Sequence, residues 1–154
     1  IGVLGTNGTI ASGKYEKELL RLNPSLKVYS KACPLFVPLV ENGHTHSEVA
    51  RLVVQEYLEE IKKEKIDTII LGCTHYPLLK SLIEQHLPSG VKVLTQGQIV
   101  AEGLKDYLVR HPEMETRISK TSSLNFLTTD STELFDSHAS LFFGQEVKSK
   151  HLGL

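Results

Sequence analysis

The chain is 154 residues long, 40% hydrophobic and 23% charged, which is ordinary for one globular domain or for a domain and part of another. A fold of this size buries roughly 70% of its unfolded surface, so it needs no disulfide or metal staple. A net charge of −1 lacks the concentrated basic face that nucleic acid demands, and no apolar run approaches the roughly 18 residues of a membrane span. Neither is expected as a partner. Two cysteines, Cys33 and Cys73, and no basic-then-apolar leader suit a reducing cytoplasm, where a cysteine fills core or does chemistry.

Ile1-Gly2-Val3-Leu4-Gly5 is short, apolar and glycine-ended, as a buried parallel strand is. Natural termini are usually frayed and polar, so a core strand at the very start, without an initiator methionine, reads as a chain cut from something longer. Thr9 and Ser12 can cap a first helix, in which Tyr15, Leu19, Leu20 and Leu22 keep helical spacing up to Asn23-Pro24. Leu26 to Tyr29 resembles a second strand, and Pro34 to Val40 is an apolar stretch closed by Asn42-Gly43. From about Ser47 to Lys63 the spacing predicts an amphipathic helix with Val49, Val53, Tyr57 and Ile61 on its apolar face. Ile66 to Leu71 is the clearest strand, Pro77 begins another helix ending near Pro88, and Val91 to Leu94 is a fourth strand.

This alternation predicts an α/β fold, a parallel sheet flanked by helices. Beyond Leu94 the character changes. A helix from about Ile99 to Val109 is followed by Pro112 to Ser123 without periodic signal, then one strand over Leu124 to Thr128. A last helix over Thr132 to Phe142 is capped by Asp130 or Ser131. Leu134, Phe135, Leu141, Phe142 and Phe143 are too much apolar surface for a tail, yet one strand and two helices cannot build a core. Residues 1–95 are therefore expected as one lobe, and 96–154 as a segment that completes another lobe.

Functional groups in such sheets gather at strand-to-helix turns on the carboxyl edge. The turn after Leu71 is Gly72-Cys73-Thr74-His75-Tyr76-Pro77. Backbone N–H groups at a helix start favour a thiolate at Cys73, and a glycine before it permits a tight turn. His75 can supply or accept a proton or polarise the thiol, and Thr74 offers a hydroxyl and an N–H to a carboxylate or ammonium group. The plainer alternative is that Cys73 fills the top of the core.

The run from Leu71 to Leu79, with its Gly-Cys-Thr-His-Tyr-Pro centre, resembles the second cysteine motif of glutamate racemases, in the cofactor-independent aspartate/glutamate racemase family. Gly2 to Thr6 with Thr9-Ile10 and Ser12 to Tyr15, Ala32 to Gly43, and Phe126 to Asp130 with Phe135 and Ala139 resemble other segments of that family in the same order. The resemblance implies proton removal from Cα by a thiolate on one face and return by a thiol on the other, without pyridoxal phosphate or any other cofactor. It implies that Cys73 is one of the two acid/base groups, that His75 assists it and lines the pocket, that Thr74 holds the substrate's charged backbone groups, and that Glu41 orients His75. The implied substrate is glutamate, and the implied product is D-glutamate for peptidoglycan.

The departures are equally specific. The family's first cysteine lies in a Cys-Asn-Thr motif of its first lobe, after an Asp-Ser-Gly turn, and neither motif occurs here. Thr95-Gln96-Gly97 stands where the family carries an Asp-Ser pair. The chain thus resembles one whole lobe plus the tail of another, and racemisation by it unaided is not expected. Aspartate or hydantoin racemisation is the alternative within the superfamily. A non-catalytic binding module is the alternative outside it, with the lobe-completing surface driving homo-oligomers in which the C-terminal segment is exchanged.

Cys33 sits among Leu35, Phe36 and Val37 and is expected to be structural. His44 and His46, with Cys73 and His75, offer ligand types for zinc but no ligand spacing, so no metal is expected. Lys62-Lys63-Glu64-Lys65 reads as a solvated helix end.

Overall fold

In the computed structural model, which describes residues 1–153, every strand pairing is parallel. Strands β1 (Gly2–Gly5), β2 (Tyr29–Ala32), β3 (Thr68–Leu71) and β4 (Lys92–Leu94) form one sheet in the order β2-β1-β3-β4. Gly2 lies opposite both Tyr29 and Ile69, and Leu4 opposite both Lys31 and Leu71. The chain leaves β1 towards β2 on one side, then returns across β1 to lay down β3 and β4 on the other. The direction of winding therefore reverses between β1 and β3, and the carboxyl ends of strands at such a reversal are where α/β sheets place their ligand sites.

Helices α1 (Asn7–Ala11), α2 (Lys14–Leu22), α3 (Phe36–Glu41), α4 (Glu48–Lys62) and α5 (Lys80–Gln85) connect these strands, the last entered through a 3₁₀ turn over Tyr76–Leu79. As a central strand β1 is buried at every residue, whereas β3 buries Ile69 and Leu71 more deeply than Thr68 and Ile70. Leu4, Phe36, Val40, Val54, Leu58, Leu71, Tyr76 and Leu79 meet in one core cluster. Each fully buried aliphatic side chain there contributes about 2 kcal/mol of transfer free energy.

Several details differ from the sequence-based expectation. The expected first helix is two helices: Thr6, not Thr9, is the cap, its hydroxyl accepting from the Thr9 N–H at 3.2 Å. Gly13 then takes the left-handed conformation at φ +60°, which turns the chain into α2. The second strand begins at Tyr29 rather than Leu26, where pairing with β1 starts through the Tyr29 N–H and the Ile1 carbonyl at 2.9 Å. Helix α4 buries Ala50, Val54, Leu58 and Ile61. Three of the four positions predicted for its apolar face lie one residue off this line, and Val49 is 58% exposed. The small Ala50 side chain lets the helix settle against the sheet along the neighbouring stripe.

Helix α6 (Gln96–Arg110) contains the boundary between two compact units, Ile1–Gly103 and Leu104–Leu154. The second unit holds α7 (Pro112–Glu115), β5 (Phe126–Thr128), α8 (Thr132–Phe143) and β6 (Ser149–His151). Ser131 caps α8, accepting from the Leu134 N–H. Strand β6 pairs in parallel with β5, a partner with no signal in the sequence. Helix α8 holds the approach to it: the Ser140 hydroxyl accepts from the Val147 N–H, and the Asp136 carboxylate accepts from the Ser149 N–H, both at 2.9 Å. Val147 and Thr128 are the buried residues described in this unit. Among the described residues no helix is long and apolar enough to cross a membrane.

Candidate active site

Strand β3 ends at the point where the winding reverses, and the cysteine motif begins immediately after it. Gly72 donates its N–H to the Leu4 carbonyl at 2.7 Å, extending the pairing with β1 by one residue. A Cβ at this position would lie 3.0 Å from the Leu4 carbonyl oxygen and 3.1 Å from the Tyr15 ring. The glycine is therefore required by close approach, not by an unusual backbone angle. The Tyr15 hydroxyl in turn accepts from the Gln96 side-chain amide. Gln96, in the run that departs from the family pattern, thus buttresses the same turn through the tyrosine.

Beyond Gly72 the backbone curls, with the Tyr76 N–H donating to the Cys73 carbonyl at 3.3 Å. The curl leaves Cys73 half-buried at the rim, exposes Thr74 and sends Tyr76 into the core. His75 stands between them. Its Nδ1 lies 3.9 Å from Cys73 Sγ and 3.4 Å from Thr74 Oγ1. On the other side of the ring, Nε2 lies 3.0 Å from Glu41 Oε1. Glu41 is the last residue of α3 and is 34 positions away in sequence, delivered by the helix after β2.

The four residues singled out from the sequence, Glu41, Cys73, Thr74 and His75, are thus brought to one place. A carboxylate that accepts from Nε2–H leaves the lone pair of a neutral ring on Nδ1, the nitrogen that faces the thiol. Such a line can draw a proton from sulfur to imidazole while the carboxylate stabilises the imidazolium. The sulfur–nitrogen separation is long for transfer, as is common before a substrate closes the site.

Thr6 and Thr9 form a second hydroxyl pair at this edge of the sheet, which sequence reasoning missed. They come directly after β1, the strand beside β3, and their hydroxyls are 2.9 Å apart at the same carboxyl edge. Nothing in the sequence places this pair at that edge, because the order of strands in the sheet is not written locally.

Cys33 is completely buried, and burial pushes its thiol up to about 12 against a smaller downward pull from the Lys31 ammonium. A thiol so held is inert at neutral pH. His44 lines an apolar cavity of about 270 Å³ with Leu35, Pro38 and Val49. Among the described residues no three His, Cys, Asp or Glu side chains converge where a metal ion could sit.

Residues 1–104 match the Asp/Glu/hydantoin racemase family. The chain belongs to that family. A glutamate racemase of Sulfurihydrogenibium sp. is 40% identical over 154 residues, which is all of this chain and 56% of that protein. One from Bacillus cereus is 42% identical over 155 residues, covering 57% of its length. Among solved structures, the RacE1 isoform of glutamate racemase from Bacillus anthracis superposes with a TM-score of 0.86 at 35% identity, covering 99% of this chain and 57% of that one. The Francisella tularensis glutamate racemase, solved in complex with D-glutamate, gives 0.82 at 31% identity, covering 99% and 56%. The chain therefore spans a little over half the length of these family members.

Proposed function

We propose that this chain supplies one of the two proton-transfer faces of a glutamate racemase. The observation that carries the reading is the line Cys73–His75–Glu41 at the point where the sheet reverses its winding. The Cys73 thiolate takes the Cα proton and becomes a thiol. A second thiol, other than the buried Cys33, gives its proton to the opposite face of Cα and becomes a thiolate. In the reverse direction the roles exchange, so no net proton is consumed. His75 assists Cys73 by exchanging a proton with it, Glu41 orients His75, and Thr74 binds the charged backbone groups of the amino acid. Glutamate is favoured as substrate because relatives and structural neighbours alike bear the name glutamate racemase.

The product D-glutamate would serve peptidoglycan synthesis in the cytoplasm. In the second unit Leu134, Leu141, Phe142 and Phe143 are each between 39% and 54% exposed. Apolar surface of this extent favours association, and we assign it to a homo-oligomer with an exchanged C-terminal segment.

The test is Cα hydrogen exchange of L- and D-glutamate in deuterium oxide, monitored by NMR. It is run on the chain alone, then with the part of a related racemase that this chain does not span. Exchange that appears only in the mixture supports the reading. No exchange in either case would sink it and leave a binding module on a racemase scaffold.

A further inference from the structure

The Cys73 turn is tied to α3 at both ends of that helix. At its C-terminal end, Glu41 meets His75 Nε2 at 3.0 Å. At its N-terminal end the next residue of the motif turns inward: the Tyr76 hydroxyl donates to the Cys33 carbonyl at 2.8 Å. That carbonyl also accepts the Phe36 N–H at 3.2 Å, so it belongs to the turn that opens α3. The Tyr76 and Phe36 rings meet edge-on, with centroids 5.0 Å apart and planes at 82°. Tyr76 has no exposed surface, and burial raises its phenol, so the hydroxyl remains a donor.

The two ties differ in strength. The Glu41 and His75 side chains are 42% and 24% exposed, and a pair so open to water is screened and holds geometry poorly. The Tyr76 bond is buried, directional and shielded from competing water. One residue step separates the anchored tyrosine from the half-exposed histidine, so what fixes the first constrains the second.

We propose that Tyr76 is a positioning residue. Its bond to the Cys33 carbonyl fixes the start of α3 against the turn, which holds Glu41 on Nε2 of His75 and keeps Nδ1 facing Cys73 and Thr74. The purpose of this device rests on the racemase reading, but the geometry needs no turnover to be observed.

The readout is the tautomer of the neutral His75 ring, taken from imidazole nitrogen chemical shifts of isotope-labelled chain, with the signal assigned by its loss in His75→Gln. The parent should hold its proton predominantly on Nε2, the nitrogen that donates to Glu41. Tyr76→Phe keeps the ring and loses the donor. It should show comparable populations of both tautomers and a several-fold slower alkylation of Cys73. Replacing Tyr76 with para-aminophenylalanine restores a donor and should restore the single tautomer. Phe36→Leu lowers the melting temperature without touching the hydroxyl and should leave the tautomer unchanged.

A folded Tyr76→Phe chain with the parent's tautomer would overturn the proposal, as would an equal change in Phe36→Leu. So would a Tyr76→Phe chain that cannot fold, because the hydroxyl would then be holding the core together instead of aiming a ring. Absence of Cα exchange in the reconstituted mixture, with the tautomer pattern intact, would defeat the racemase reading and leave this role standing.

Discussion

His75 and Glu41 meet at 3.0 Å although they are 34 positions apart in sequence, and the opposite nitrogen of the ring is turned to the cysteine. The carboxylate takes Nε2, so Nδ1 faces Cys73 Sγ and Thr74 Oγ1. An exposed hydrogen bond to a carboxylate is worth up to about 1 kcal/mol, or about fivefold in a rate or equilibrium. Glu41→Gln keeps the size and removes the charge. The expected result is a loss of about fivefold or less in Cys73 alkylation by iodoacetamide at neutral pH. Salt should slow the parent towards the variant and leave the variant unmoved. Equal rates at low salt would remove Glu41 from the site.

The two cysteines should separate cleanly. In the reconstituted enzyme Cys73→Ala should cost at least about a hundredfold in racemisation, the lower end of what general acid–base groups contribute. Cys33→Ala trims one buried atom and should lower stability by about 1 kcal/mol in a denaturant melt, with activity retained. Reversed outcomes would mean that the site has been built on the wrong thiol.

Alkaline pH should expose Cys33 through stability. Its thiol has an ordinary value of 9.0 and is held at about 12 in the folded chain. Above the ordinary value the unfolded chain releases this proton while the folded chain retains it, so the unfolded state gains. The stabilising contribution is complete below 9.0 and is lost as pH rises towards 12. Melts recorded across this window should show a steeper fall for the parent than for Cys33→Ala. Parallel curves would show that burial of the thiol does not perturb it.

The parallel sheet was legible because buried strands of β-branched and aliphatic residues alternate with amphipathic helices. Ile66 to Leu71 announces itself, whereas Ser149-Lys150-His151 does not, since a three-residue polar strand carries no periodic signal. The apolar face of α4 was misplaced by one residue because Ala50 contributes little to any hydrophobic pattern yet lies at the closest approach. Cys73, Thr74 and His75 stood out as one turn. Glu41 entered only through family resemblance, because a pairing across 34 residues depends on where α3 ends against the turn. The placement of Tyr15 against Gly72, and of Thr6 and Thr9 at the carboxyl edge of β1, depends on strand order, which no local spacing encodes.

Self-association is testable by surface changes confined to the second unit. Leu134 and Leu141 on α8 are 54% and 47% exposed. Replacing both with lysine adds repulsion where apolar surface would otherwise be covered. Light scattering should show the parent as a dimer or larger species and the double variant shifted towards monomer. A parent that remains monomeric at high concentration would withdraw the homo-oligomer.

The tightest test of the fold at the site is Gly72→Ala. The added carbon would stand 3.0 Å from the Leu4 carbonyl oxygen and 3.1 Å from the Tyr15 ring. Neither neighbour moves freely: Leu4 lies in the central strand, and the Tyr15 hydroxyl is engaged by Gln96. Overpacking of this kind costs about 1–3 kcal/mol. The strain is relieved most easily by moving the turn outward, which carries Cys73 away from β1. The variant should therefore melt lower and also show an altered Cys73 alkylation rate, while Cys33 stays protected. A lower melting temperature with an unchanged Cys73 rate would mean that the turn keeps its place without the glycine and that Tyr15 yields instead. Tyr15→Leu in the same background would then recover the lost stability, whereas a displaced turn would not be recovered by it.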